Sequence, residues 1–106
     1  SIPPLITVDQ EGGLVDRFRF AEMNCSPGAM ALGAAGNPYW TEQAHTIMGT
    51  ELASLGISLD FAPCLDVNCN PANPIICARS FGSDPAAVQV HGMAAMRGLQ
   101  AGGVGA

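Results

Sequence analysis

The sequence predicts an α/β chain with parallel strands, ordered strand, helix, strand, helix and the first step of a third strand. Three observations carry that prediction. The short apolar runs Leu5–Val8 and Ile57–Pro63 alternate with two long stretches of helical spacing. Each of those stretches opens on an Asx-Pro pair and closes on glycine. Long polar loops rich in Gly, Asn and Pro follow both strands at the same end. Such alternation implies right-handed βαβ units and a parallel sheet. A parallel sheet needs cover on both faces or closure on itself, which two strands and two helices do not supply. The chain is therefore expected to be a β-α-β-α piece of an α/β barrel or of a doubly wound sheet. A full barrel takes about 250 residues, against 106 here.

Residues 5–9 read as a buried strand that ends in Asp9-Gln10-Glu11-Gly12-Gly13. The strand fixes where the acid sits, and the glycine pair lets the backbone turn sharply. Ligands gather at the C-terminal ends of parallel strands, so Asp9 is a candidate. The plainer reading is an Asp that caps a turn for its own hydrogen-bonding reasons.

Residues 10–37 show no sustained period and read as one long loop, a length usually associated with function or disorder. Within it, Arg17-Phe18-Arg19 offers two cations to neighbouring acids. Asn37 and Pro38 open the first helix, whose apolar face is Ala44, Ile47, Met48, Leu52 and Leu55. His45 lies beside that face and reads as structural, and Gly56 is the stop.

Ile57, Leu59 and Phe61 form one side of the second strand. A second loop follows, from Cys64-Leu65-Asp66-Val67-Asn68 through two Asn-Pro pairs to Arg79-Ser80-Phe81-Gly82. Asp84-Pro85 opens the second helix. Its face is Val88, Gly92, Ala95, Met96 and Leu99, with small residues suited to close packing on a sheet. Gly102-Gly103 stops it, and Val104-Gly105-Ala106 begins another strand.

Composition narrows the function. The net charge is -5, with four arginines and no lysine, which argues against nucleic acid and against an anionic membrane surface. No run approaches the roughly 18 apolar residues that span a bilayer. The first residues, Ser1-Ile2-Pro3-Pro4, carry no initiator Met, so a processed or truncated start is expected. Cys25, Cys64, Cys69 and Cys77 follow neither a disulfide framework nor a C-x-x-C metal spacing. They read as ordinary thiols of the kind that behave as small buried hydrophobes. No metal site is expected, because His45 and His91 have no ligand spacing around them.

Six segments taken together resemble the N-terminal domain of glycoside hydrolase family 3. They are Leu5–Gly13 (LITVDQEGG), Val15–Phe18 (VDRF), Phe61–Asn68 (FAPCLDVN), Asn70–Ile75 (NPANPI), Arg79–Gly82 (RSFG) and Gly98–Val104 (GLQAGGV). Within the family the look is of the bacterial β-N-acetylhexosaminidases of the NagZ type. The resemblance covers the whole chain, so residues 1–106 are expected to be a partial N-terminal domain, part of a TIM-like (β/α) barrel. It implies a retaining exo-hydrolase that acts on terminal N-acetylglucosamine of chitin or peptidoglycan fragments, without metal or organic cofactor. Family members occur in the cytoplasm and outside it, with the cytoplasm favoured for the NagZ branch.

For single residues, the resemblance implies that Asp9 accepts hydrogen bonds from sugar hydroxyls and that Arg79 donates to them. A carboxylate only accepts and a guanidinium only donates, so the two together can orient a hydroxyl pattern. Glu11 would support them by orienting Arg17 or Arg79, or by capping the Gly12-Gly13 turn. Asp66 is expected to satisfy N–H groups of its own loop. The chain departs from the family at Leu14, where Arg is common, and at Cys64, Cys69 and Cys77, where apolar, Asn and Gly residues are usual.

The family's Lys-His-Phe-Pro-Gly-His-Gly segment, its acid/base histidine and its nucleophilic aspartate are expected beyond residue 106, so no catalytic residue is assigned here. Retaining hydrolysis needs both groups. If this chain acted alone, Asp9 and Glu11 would have to serve. Two other functions compete with the enzymatic one: a non-catalytic sugar-binding module that self-associates through exposed strand edges, and β-glucosidase-type family 3 activity. A thiol or metal protein built on the four cysteines is a further class.

Overall fold

The computed structural model describes residues 1–19 and 22–106. Strand β1 (Thr7–Val8) pairs in parallel with β2 (Leu59–Asp60), Thr7 opposite Leu59 and Val8 opposite Asp60. Gly105 adds a parallel bridge to the other side of Leu59. Its carbonyl accepts from Asp60 N at 2.9 Å and its N–H donates to Ser58 O at 2.9 Å. β2 is thus central, and the start of a third strand stands where the sequence predicts it. Both named strands are shorter than predicted. The ladder is carried by Ile6 and Val8 carbonyls, which accept from Ser58 and Phe61 N–H groups at 2.8 Å. Among the described residues no strand pairs with the outer side of β1, and Leu5 and Ile6 lie exposed.

Helix α1 (Ala29–Ala35) lies inside the stretch that reads as continuous loop. It is seven residues long, built of Ala, Met, Leu and Gly, and its N-cap Gly28 has no side chain to signal a start. Helices α2 (Pro38–Ser54) and α3 (Pro85–Gly102) begin as predicted. Asn37 Oδ1 accepts from Tyr39 N and Asp84 Oδ1 from Ala86 N, both at 3.1 Å. A short 3₁₀ turn, Cys77–Arg79, precedes α3.

The helix faces differ from the expectation. Ile47 and Leu55 are half exposed, at 51% and 50%, whereas Thr41, His45, Met48, Gly49 and Leu52 are buried. The reason is the partner. α2 packs on glycines of α3 rather than on a broad sheet face. A Cβ on Gly98 would stand 2.4 Å from Glu42 O, and one on Gly102 would stand 2.5 Å from Thr50 N. From the other side, a Cβ on Gly49 would stand 2.7 Å from Leu99 O. The small residues of α3 therefore admit a helix, and Gly92 admits Leu65 of the loop after β2.

This close approach puts two polar groups of α2 inside, where they are satisfied. His45 Nδ1 donates to Thr41 O at 2.8 Å, and Thr41 Oγ1 meets His91 Nδ1 at 2.7 Å. Burial holds both imidazoles below their ordinary pKa, so they stay neutral. His91 also stacks on Phe81, with ring centroids 5.5 Å apart. Met48, Leu52, Leu99, Ala62 and Val104 close the core between the helix pair and the strands.

The cysteines are all unpaired thiols. Contrary to the expectation of buried hydrophobes, Cys25, Cys69 and Cys77 are exposed and Cys64 is half-buried beyond the end of β2. Cys25, Cys64 and Cys69 stand in loops and Cys77 opens the short 3₁₀ turn, where no core encloses them.

Candidate functional site

The two long loops meet at the C-terminal ends of β1 and β2, and the contact that joins them is Glu11–Arg79. Arg79 Nε donates to Glu11 Oε2 at 3.0 Å and Nη2 to Oε1 at 2.8 Å, a bidentate pair across 68 residues of chain. The Glu11 side chain is 10% exposed and that of Arg79 32%. The pair raises the Arg79 guanidinium pKa further above its ordinary value, chiefly through the Glu11 hydrogen bonds. Arg79 also reaches Ile75 O at 3.4 Å. Three of its five donors are thus committed, and the remaining two can serve a ligand hydroxyl.

The turn beneath Glu11 depends on its glycines. Gly12 and Gly13 have φ of +82° and +59°, and a Cβ on Gly13 would lie 2.7 Å from Gly28 Cα. Glu11 N and Gly12 N both donate to Val15 O, at 3.0 and 3.1 Å. Gln10 locks the turn from inside, although the sequence gives it no role. Its N–H donates to Asp60 Oδ1 at 2.9 Å and its Nε2 to Asp16 Oδ1 at 2.9 Å, while its Oε1 accepts from Arg17 N at 2.7 Å. Burial would raise the Asp16 carboxyl pKa, but the Gln10 amide, Phe18 N–H and the Arg19 charge outweigh it and hold it below the usual range.

The remaining candidates fall as follows. Asp9 stands exposed between β1 and Gln10. Arg17 is exposed and engages Gln10 through its backbone. It is therefore Arg79, not Arg17, that Glu11 pairs with. Arg19 finds a carbonyl, Gly13 O, rather than an acid. Asp66 is held by its backbone: Ser80, fully buried, donates from Oγ to Asp66 O at 2.6 Å and accepts from Gly82 N at 3.2 Å. The Asp66 carboxylate takes the Cys64 thiol at 3.2 Å rather than loop N–H groups. Burial is the first cause that pushes the Cys64 thiol pKa up.

Asp60 is the residue that sequence reasoning passes over. It is 0% exposed. Burial raises its carboxyl to about 6, against the Gln10 N–H that lowers it, and the charges of Asp9 and Glu11 add to the rise. The signal was available, since an acid inside a parallel strand is covered on both faces.

Two concavities flank this region. One of about 460 Å³ is apolar and runs along Leu65, Val88, Met93 and Met96 to Ala106. A second, of about 360 Å³, lies over Gly13, Leu14, Gly28 and Met30. None of the five sequence candidates lines either. Among the described residues no group of three or more His, Cys, Asp or Glu is placed to hold a metal ion. No helix there is long and apolar enough to cross a membrane.

Residues 1–106 match the family model described as the glycosyl hydrolase family 3 N-terminal domain. This chain belongs to glycoside hydrolase family 3. Among its family 3 relatives, β-hexosaminidase A of Pseudoalteromonas piscicida is 43% identical over 107 residues, covering 97% of this chain and 18% of that protein. The β-N-acetylglucosaminidase/β-glucosidase of Cellulomonas fimi is 35% identical over 106 residues, covering 100% and 18%. The structure of a family 3 β-N-acetylglucosaminidase from Paenibacillus sp. str. FPU-7 superposes with a TM-score of 0.94 at 48% identity, covering 97% of this chain and 19% of that one. The chain thus spans about a fifth of the length of these family 3 proteins.

Proposed function

We propose that this chain is part of a TIM-like (β/α) barrel and supplies part of the sugar subsite of a family 3 β-N-acetylglucosaminidase, with residues 1–106 one stretch of its N-terminal domain. The observation that carries the reading is the bidentate Glu11–Arg79 pair at the strand ends. It presents a guanidinium with a fixed plane and unspent donors beside the turn that bears Asp9. Hydroxyl groups on adjacent carbons alternate readily between donating and accepting, so an acceptor and a rigid donor fork together select their arrangement. In this reading Asp9 and Arg79 contact the sugar, Glu11 aims Arg79, and Asp66 and Arg17 support the loops. The substrate is terminal N-acetylglucosamine of chitin or peptidoglycan fragments. Both the Pseudoalteromonas and Paenibacillus names support the hexosaminide side. The Cellulomonas name, which carries both activities, keeps a glucoside as the competing substrate.

Saturation-transfer NMR of the chain with N-acetylglucosamine, competed with glucose, tests this directly. Transfer to N-acetylglucosamine that disappears in both Asp9→Ala and Arg79→Ala supports the reading. Transfer unchanged in both variants, or none in the parent chain, removes it.

A second reading is a sugar-binding module that self-associates. It is favoured by the exposure of Phe61, Leu65 and Leu14 around the strand ends, at 62%, 59% and 73%. Sedimentation across a range of concentrations separates the two, because a concentration-independent monomer leaves only the first.

A further inference from the structure

We propose that Asp60 is the positioning residue of this sugar site: its buried carboxylate, seated behind the Asp9-Gln10-Glu11 turn, sets the aim of Asp9 and of the Glu11–Arg79 pair through the Gln10 N–H. The inference rests on the sugar-site reading for its consequence, but its physical basis is separate. Asp60 lies opposite Val8 in the parallel register, so its side chain reaches past the end of β1 to the first residue of the turn proper. Oδ1 accepts from Gln10 N at 2.9 Å. Oδ2 is buried without a hydrogen-bond partner among the described residues. Gln10 passes the constraint outward, because its side chain ties Asp16 and Arg17 N. One buried acceptor therefore anchors a turn whose two flanking residues are Asp9 and Glu11.

The charges around Asp60 make the anchor responsive. From the turn after β1, the charged groups that act on it are the carboxylates of Asp9 and Glu11. From its other side, Gly105 brings only backbone, accepting Asp60 N. An ionised Asp60 thus makes a stronger acceptor for Gln10 N and, at the same time, repels the two acids it positions. A protonated Asp60 keeps the acceptor and relieves the repulsion. The sugar site then has two settings of one turn, chosen by a group that never touches the sugar.

The test is a pH titration of the ¹⁵N-labelled chain, followed at the Gln10 amide and Arg79 Nε, for the parent, Asp60→Asn and Asp60→Ala, each with and without N-acetylglucosamine. The expected result is one shared midpoint near 6 for both resonances in the parent, in line with the raised Asp60 carboxyl. Asp60→Asn, which keeps an acceptor for Gln10 N, loses that midpoint and binds the sugar within about twofold of the parent at pH 5. Asp60→Ala removes the acceptor and binds at least roughly tenfold more weakly, the loss expected for one hydrogen bond to a charged network. If Asp60→Ala does not fold, the parent and Asp60→Asn titrations decide. A Gln10 step without an Arg79 step overturns the proposal, and so does Asp60→Ala binding equal to the parent. A shared midpoint with no sugar binding at any pH leaves the coupling standing and removes the sugar-site reading instead.

Discussion

The helix pair α2–α3 and the layer of loops at the strand ends solve opposite problems with the same short chain. The pair is held by backbone approach: glycines at 49, 98 and 102 leave no room for even a methyl group, and the polar groups caught inside, Thr41, His45 and His91, satisfy one another. The strand-end layer has almost no regular backbone pairing. It is organised by side-chain hydrogen bonds: Asp60 with Gln10, Gln10 with Asp16, Glu11 with Arg79, Ser80 with Asp66. The contrast teaches where stability and binding reside. Substitutions in the pair should change folding with little specific effect on a ligand, and substitutions in the layer should do the reverse.

The largest expected effect tests the pair. Gly98→Val should destabilise the chain by about 3 kcal/mol or more, because backbone of α2 occupies the space a side chain needs. Urea unfolding followed by circular dichroism measures it, and a loss under about 1 kcal/mol would mean that the helices can separate without cost.

The next effect belongs to the boundary between the two regions. The Asp60 carboxyl is raised to about 6 in the folded chain, from 3.8. Between those values the folded chain binds more protons than the unfolded one. Stability due to this group therefore falls as pH rises through the window and is lowest above it. A shift of this size corresponds to about 3 kcal/mol at most. His45 and His91, held neutral by burial, act in the opposite sense as pH falls below 6.5. The clean readout is the difference between parent and Asp60→Asn in urea midpoints from pH 4 to 7, which should grow in favour of the variant as pH rises.

In the layer itself, Arg79→Ala should weaken N-acetylglucosamine binding by roughly tenfold or more, as expected for a lost charge-assisted hydrogen bond. The same variant should change stability by less than about 1 kcal/mol, since the arginine is part-exposed. Calorimetric Tm and an NMR binding titration on one sample compare the two. A large fall in Tm would mean that the pair is structural. The smallest effect concerns Cys77, which holds φ +36° without being glycine. Cys77→Gly should stabilise by about 1 kcal/mol, the cost of left-handed backbone for an L-residue, and thermal unfolding checks it.

The sequence made the helix termini, the parallel order and the start of a third strand legible, because Asn37-Pro38, Asp84-Pro85 and Gly103 are chemical signals that act locally. It made Gly12-Gly13 legible for the same reason, whereas Cys77 stood out only as a departure from the family resemblance. What it concealed depends on contacts far along the chain. The buried face of α2 is set by glycines some fifty residues later, which turn Thr41 inward and Ile47 outward. The choice of Arg79 over Arg17 as the partner of Glu11 is made by the second loop folding over the first. Asp60 is passed over because Ile57, Leu59 and Phe61 are expected to form one side of the strand, whereas Asp60 is buried and Phe61 is 62% exposed. Helix α1 was missed because seven residues with a glycine cap carry no periodic or capping signal.

The most direct test of the central claim, that the strand-end layer holds the sugar, is chemical-shift mapping of the ¹⁵N-labelled chain with N-acetylglucosamine. The account predicts perturbations centred on Asp9, Gln10, Glu11 and the Arg79 guanidinium, with the α2–α3 contact silent. Perturbations centred on Leu65, Met93 and Met96, in the larger apolar groove, would contradict it.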